Sequence, residues 1–283
     1  MYMAVSRGDL LEISMERPAW APQSIDISMP SVSRIYDYYL GGSHNFEVDR
    51  EAARKAMGFM PGLPTIMKSN RAFMRRAVRF ALDEGVTQFL DIGSGIPTFG
   101  NVHEVAQRAN PDAKVVYVDH DPVAVAHSRA VLEDNPRATV VNADLRRPAQ
   151  LLKSPEMDLL DLDRPVALLL NFVLHFLQDR DDPYGAVAEL RDALAPGSLL
   201  VLTHASHHGV PLPEETADRA VAVYEEIRNP LVMRTREQTN RFFDGFETVR
   251  PGLVSMPHWR PDSPAEEEDP YAFSGFAGVG RKA

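Results

Sequence analysis

Apolar positions change period near residue 86, and the change divides the chain. Upstream they recur at helical spacing. SVSRIYDYYL predicts a short aromatic helix with Ser31 as N-cap, stopping at Gly41-Gly42. A second helix is expected from Phe46 to Gly58, with Asp49 and Glu51 near its positive end. Pro61 and Pro64 then interrupt the chain, and PTIMKSNRAFMRRAVRFALDEG follows as a long amphipathic helix with Ile66, Phe73, Ala77, Phe80 and Ala81 toward the core. Downstream, short apolar runs alternate with helical stretches. Strands are expected at 87–91, 114–119, 138–142, 165–171 and 198–204, with helices near 99–109, 122–133, 146–153 and 184–195. That alternation predicts a parallel sheet. After helices at 213–228 and 235–243, FETVRPGLV and FAGVGRK flank the acidic insert PDSPAEEEDP and are expected to close the sheet as an antiparallel hairpin. Residues 1–28 lack periodicity and read as a loose arm, 29–84 as a helical cap and 85–283 as the sheet domain.

Composition narrows the function classes. A chain of 283 residues with 44% hydrophobic content suits one large α/β domain with added helices. Lys and Arg number 30 against 40 Asp and Glu, and the net charge of −10 opposes an extended grip on phosphate backbones, so no nucleic-acid partner is expected. The absence of cysteine excludes disulfides and thiolate metal sites and fits a reducing compartment. The N-terminal residues lack the apolar core of a signal peptide, and PVALLLNFVLHFL at 165–177 is too short to span a bilayer. A soluble, cytoplasmic protein without a membrane partner is expected.

The candidate chemistry sits at strand ends. In VTQFLDIGSGIPT a buried strand delivers Asp91 and then a turn, Gly93-Ser94-Gly95, whose glycines permit positive φ and close backbone approach to a ligand. Glycine turns that bind dinucleotides seldom carry a carboxylate immediately before them, and Pro97 and Thr98 stand near where a third glycine of that fingerprint would fall. A nucleoside with a cationic amino group is favoured instead, and S-adenosylmethionine is inferred. Twenty-eight residues after Asp91, KVVYVDHD ends in Asp119, followed by His120; the two oxygens of Asp119 suit ribose hydroxyls, while Asp121 before Pro122 suits a helix cap. The next strand ends at Asn142-Ala143-Asp144-Leu145, where Asp144 either accepts from an adenine amine or caps the following helix, and Leu145 offers an apolar surface to the ring. Three consecutive strands thus end in an acid near one edge.

Two later strands border the expected acceptor. Asn171 suits the amino-acid part of the cofactor, and His175 either faces the acceptor as a general base or is a buried structural histidine. His204, His207 and His208 cluster after the fifth strand; they lack the spacing of a zinc hydrolase, so no metal is expected, and His204 is the second candidate base. Arg71 could pair with the methionine carboxylate, in competition with Arg75 and Arg76 or as part of a solvated basic face. Tyr36, Tyr38, Tyr39 and Asn45 suit either a lid over the acceptor or core packing.

SVSRIYDYYLGGSHNFEVDREAA, NRAFMRRAVRF, FLDIGSGIPTFGNVHEVAQ, VVYVDHDPVAVAHSRA, ADLRRP, NFVLHFLQD and the terminal GVGRK together resemble a bacterial family of S-adenosylmethionine-dependent methyltransferases long catalogued as a domain of unknown function, over roughly residues 24–281. The resemblance implies a class I methyltransferase (Rossmann-like) α/β fold: a mostly parallel seven-stranded sheet with helices on both faces, plus an N-terminal helical lid. It implies that Asp91, Gly93, Ser94 and Gly95 frame the methionine part, Asp119 the ribose and Asp144 the adenine. The class I pattern usually has a further glycine where Ile96-Pro97 stand, so a stiffer turn is expected. The expected function is methyl transfer to a small-molecule acceptor. The alternatives are a protein that binds S-adenosylmethionine without turnover and a nicotinamide oxidoreductase.

Overall fold

The computed structural model of the chain describes residues 27–98, 100–227, 229–262 and 269–283; residues 1–26 of the expected arm and 263–268 of the acidic insert lie outside them. Strands β1 (Gln88–Ile92), β2 (Lys114–Asp119), β3 (Ala138–Asn142), β4 (Ala167–Asn171), β5 (Leu199–His204), β6 (Phe246–Thr248) and β7 (Phe276–Lys282) form one sheet in the order β3-β2-β1-β4-β5-β7-β6. The first five are parallel. The expected C-terminal hairpin is antiparallel, but its last strand lies inside: β7 sits between β5 and β6. Burial explains the order. FAGVG of β7 is buried throughout, whereas Glu247 and Thr248 of β6 are exposed and suit an edge. Gly280 lets the neighbouring aromatics reach the strand, since a Cβ there would stand 2.8 Å from the Phe243 ring.

Helices cover both faces: α1 (Val32–Tyr39), α2 (Glu47–Phe59), α3 (Leu63–Asp83), α4 (Val102–Ala109), α5 (Pro122–Val131), α6 (Pro148–Leu151), α7 (Pro183–Asp192), α8 (Glu214–Glu226) and α9 (Arg236–Asn240). Alternation along the strands sends Phe89, Val115, Tyr117 and Leu169 to one core, shared with Phe73 and Ala77 of α3. Leu90, Ile92, Val116 and Leu170 face the other, shared with Val187 and Leu190 of α7. The stripe predicted for α3 is buried in full. Helix α6 is shorter than expected, because Pro155 starts a separate 3-10 turn at Pro155–Leu159.

A buried charge network ties the N-terminal helices to the sheet. Arg34, 3% exposed, donates from Nε to Asp49 Oδ2 at 2.8 Å and stands 3.6 Å from Asp121. Asp49 also accepts from the backbone N–H groups of Ser31 and Phe46, so α1 and the start of α2 share one carboxylate. Ser31 makes no side-chain cap, contrary to the sequence expectation; its hydroxyl donates to Asp121, which is itself the cap of α5 through Val123 N–H. The Gly41-Gly42 turn has a similar logic: a Cβ at Gly42 would collide with Asp37, whose carboxylate accepts from His44 N–H and the Asn45 amide.

Candidate functional site

A cavity of about 300 Å³ opens at the carboxyl edge of the parallel strands and is roofed by α1, α3 and α8. The ten residues expected to hold the nucleoside all border it, and so does His175. Strand pleating places the side chains of Asp91 and Asn171 on the α3 side, beside Phe89 and Leu169 respectively. In register, Asp91 lies opposite Tyr117, so Asp119 emerges level with the glycine turn.

The turn is built by its neighbours. Gly93 and Ser94 donate their N–H groups to Val118 O at 2.8 and 3.1 Å, wrapping the turn over β2. Gly93 has φ +74° and no room for a side chain, since a Cβ would lie 2.5 Å from Val173. Gly95 has φ +67°, and a Cβ there would enter open space, leaving a bare backbone cradle. Asp119 accepts from Gly95 N–H and Asp121 N–H, both at 2.8 Å. It therefore holds the turn in shape, and each of its oxygens retains lone-pair capacity for a ligand. His120 Nδ1 lies 3.7 Å from Asp119. Asp144 forms a pair with Arg146 at 2.7 Å; burial pushes its carboxyl up, but the Arg146 hydrogen bonds outweigh burial and hold it below the ordinary range. Leu145 is buried beside it.

Asp91 differs from these acids. Its carboxylate makes no hydrogen bond among the described residues, and burial pushes its pKa up to about 7, opposed by the Arg71 charge and reinforced by Asp119. A nearby cation would favour its ionised form. Beside it, Arg71 donates to Thr98 Oγ1 at 2.7 Å and Asn101 Oδ1 at 3.1 Å, while its Nε is buried without a partner, as is Asn171 Oδ1. Arg75 does not border the cavity, and Arg76 instead donates to the carbonyls of Met256 and Trp259.

A directional hydrogen-bond chain runs from the sheet to α1. Phe172 N–H donates to Thr203 Oγ1, which must donate its own proton to Asn70 Oδ1 at 2.7 Å; the Asn70 amide nitrogen then donates to Tyr36 Oη at 2.9 Å. The Tyr36 proton reaches only Met67 O at 3.4 Å, a long contact, and Tyr36 borders the cavity. Sequence reasoning missed Asn70 and Thr203. The available signal was a polar residue on a buried stripe, since Asn70 falls between Ile66 and Phe73 on the same face of α3.

The two candidate bases separate. His175 is 5% exposed and its Nδ1 is buried without a partner; burial, with His204 and Arg234 nearby, holds its pKa well below the ordinary value, so the ring is neutral. His204 is a correction: it does not border the cavity and is fully buried. Its Nδ1 lies 2.7 Å from Ala205 O and must carry the proton, leaving Nε2 to accept from Arg234 at 3.2 Å. Burial pushes His204 down to about 4, and Arg234 in turn grips the carbonyls of Leu174 and Leu177 around His175. His204 thus braces the segment that carries the other histidine. His207 lies apart, near the exposed Glu214 and Asp218 of α8, and His208 stacks on Phe276.

A parallel sheet extended by an antiparallel seventh strand, with acids at successive strand tips over a glycine turn, defines a class I methyltransferase fold. The family model described as S-adenosyl methyltransferase matches residues 18–283, and the chain belongs to that family; it is an enzyme whose cofactor is S-adenosylmethionine. Among solved structures, it is similar to a putative methyltransferase from Thermobifida fusca, 42% identical, covering 94% of this chain and 99% of the other with a TM-score of 0.86. A DUF574 family protein from Streptomyces avermitilis is 38% identical, covering 91% and 99%, also with a TM-score of 0.86. A stretch of 53 residues is 38% identical to ribosomal RNA small subunit methyltransferase H of Halorhodospira halophila, spanning 19% of this chain and only 16% of that relative. The family assignment replaces the nicotinamide alternative. No helix among the described residues is long and apolar enough to cross a membrane.

Proposed function

We propose that the enzyme methylates a small-molecule acceptor by in-line transfer within the cavity. The orphaned polar atoms fit the cofactor. Asp91 would take the ammonium of its methionine part, Arg71 Nε and the Tyr36 hydroxyl its carboxylate, and Asn171 would contact the same moiety. Asp119 would receive the ribose hydroxyls beside His120, and Asp144 and Leu145 the adenine. The Gly93-Ser94-Gly95 turn would frame the chain between them. When bound, S-adenosylmethionine supplies an electrophilic methyl carbon whose bond to sulfur breaks, with its electron pair kept by sulfur, as the acceptor's lone pair forms the new bond. The protein then has to align the acceptor, exclude water and remove one proton. Neutral His175 is the proton taker in this reading. A weak base suffices for a hydroxyl acceptor, because an O–H oxygen that has gained a methyl group becomes strongly acidic.

The observation that carries the reading is that strand-tip carboxylates and an apolar chamber under α1 share one cavity. The acidic net charge of −10 adds to it by disfavouring nucleic acid. The test is incubation with methyl-labelled S-adenosylmethionine and cell extract, followed by size separation and chromatography of the low-mass fraction. An enzyme-dependent labelled low-mass product distinct from the cofactor supports the proposal; new label confined to protein or RNA contradicts it.

A further inference from the structure

The charged side chains around the cavity are segregated by chain segment. Asp91 and Asp119 lie at the ends of β1 and β2, Asp144 and Arg146 just after β3, with Arg71 beside Asp91, and Arg180 and Asp181 lie in the segment after β4. The lining supplied by α1, by the start of α3 and by residues 229–233 contains no ionised group. Leu63, Ile66, Met67, Leu231 and Met233 dominate it, with Met60 at the end of α2 beside them. The phenols of Tyr39 and Tyr224 are 3.1 Å apart, and one donates to the other. Four buried polar atoms of the cavity lining have no partner; with Arg71 Nε and Asn171 Oδ1 given to the cofactor, His175 Nδ1 and Ser274 Oγ are left.

From this arrangement, and resting on the methyltransfer reading above, we infer that the acceptor is an uncharged, predominantly apolar molecule presenting one proton-bearing heteroatom to His175. An ionised acceptor would lose its hydration in this chamber and find no counter-ion. A neutral apolar one gains from leaving water, and its single polar group meets the two atoms that are left. The methionines add tolerance of shape, because an unbranched thioether adapts to irregular surfaces.

The test uses two probes on one carbon skeleton, 1-naphthol and 1-naphthalenesulfonate, titrated by calorimetry into the full-length protein saturated with S-adenosylhomocysteine. The naphthol is expected to bind at least about tenfold more tightly than the sulfonate. Leu231→Trp, which fills the chamber, is expected to weaken naphthol binding by about tenfold or more while leaving S-adenosylhomocysteine affinity unchanged. Equal or tighter binding of the sulfonate, binding of neither probe, or an unaltered naphthol affinity in L231W overturns the inference. Failure of S-adenosylhomocysteine itself to bind overturns instead the reading on which the inference rests.

Discussion

Replacing Asp91 with Asn removes a carboxylate that the unliganded protein holds at a cost. Asp91 is 7% exposed, and its pKa rises from 3.8 to about 7, chiefly through burial. At about 1.4 kcal/mol per tenfold change in proton affinity, that rise is equivalent to about 4 kcal/mol against the ionised folded form. The sign follows from linkage. The folded pKa lies above the unfolded one, so stability from this group is full below pH 3.8 and declines as pH rises through about 7. Between pH 5 and pH 8 the unliganded wild type is therefore expected to lose roughly 2 to 3 kcal/mol that Asp91→Asn does not lose. Urea denaturation of both proteins at the two pH values measures the difference. The same variant is expected to bind S-adenosylhomocysteine at least about tenfold more weakly at pH 8, since the ammonium loses its charge partner. Parallel pH profiles for the two proteins, or undiminished ligand affinity in D91N, would refute the reasoning.

The other predictions follow from separate features. Arg34→Ala strands Asp49 without its cation and is expected to cost about 3 to 5 kcal/mol in chemical denaturation; a loss below 1 kcal/mol would show that the network does not hold the N-terminal helices. Gly95→Val combines a strained φ of +67° with a side chain in the cradle, and is expected to abolish S-adenosylhomocysteine binding by calorimetry with a native circular dichroism spectrum. His175→Gln is expected to lower kcat by about 100-fold or more with cofactor affinity within about twofold, measured once an acceptor is in hand; equal losses in kcat and cofactor affinity would make the histidine structural.

Much of this architecture was legible because burial imposes period on sequence. The runs that became β1 to β5 are apolar on both faces, and each has helical spacing behind it. Strand-tip acids were legible for a related reason: a carboxylate at the end of an apolar run is costly to bury without partners, so Asp91, Asp119 and Asp144 declared a common edge. Relations between distant segments were less visible. The order of β6 and β7 depends on which is buried on both faces, and a short FET gives little periodicity to weigh against FAGVG. His204 looked like a loop histidine because THASHHG is polar, yet its ring is held by Arg234, thirty residues away. Ser31 had the composition of a cap, but Asp121 offered its hydroxyl a partner from another element. The Tyr36–Asn70–Thr203 chain joins α1, α3 and β5, and no local pattern encodes such a triple.

The most direct test is a crystal structure of the protein with S-adenosylhomocysteine. Ribose hydroxyls are expected on Asp119, the amino group on Asp91 and the carboxylate between Arg71 and Tyr36. A ligand bound away from the tips of β1, β2 and β3, or lying across them with its amino group remote from Asp91, would contradict this arrangement.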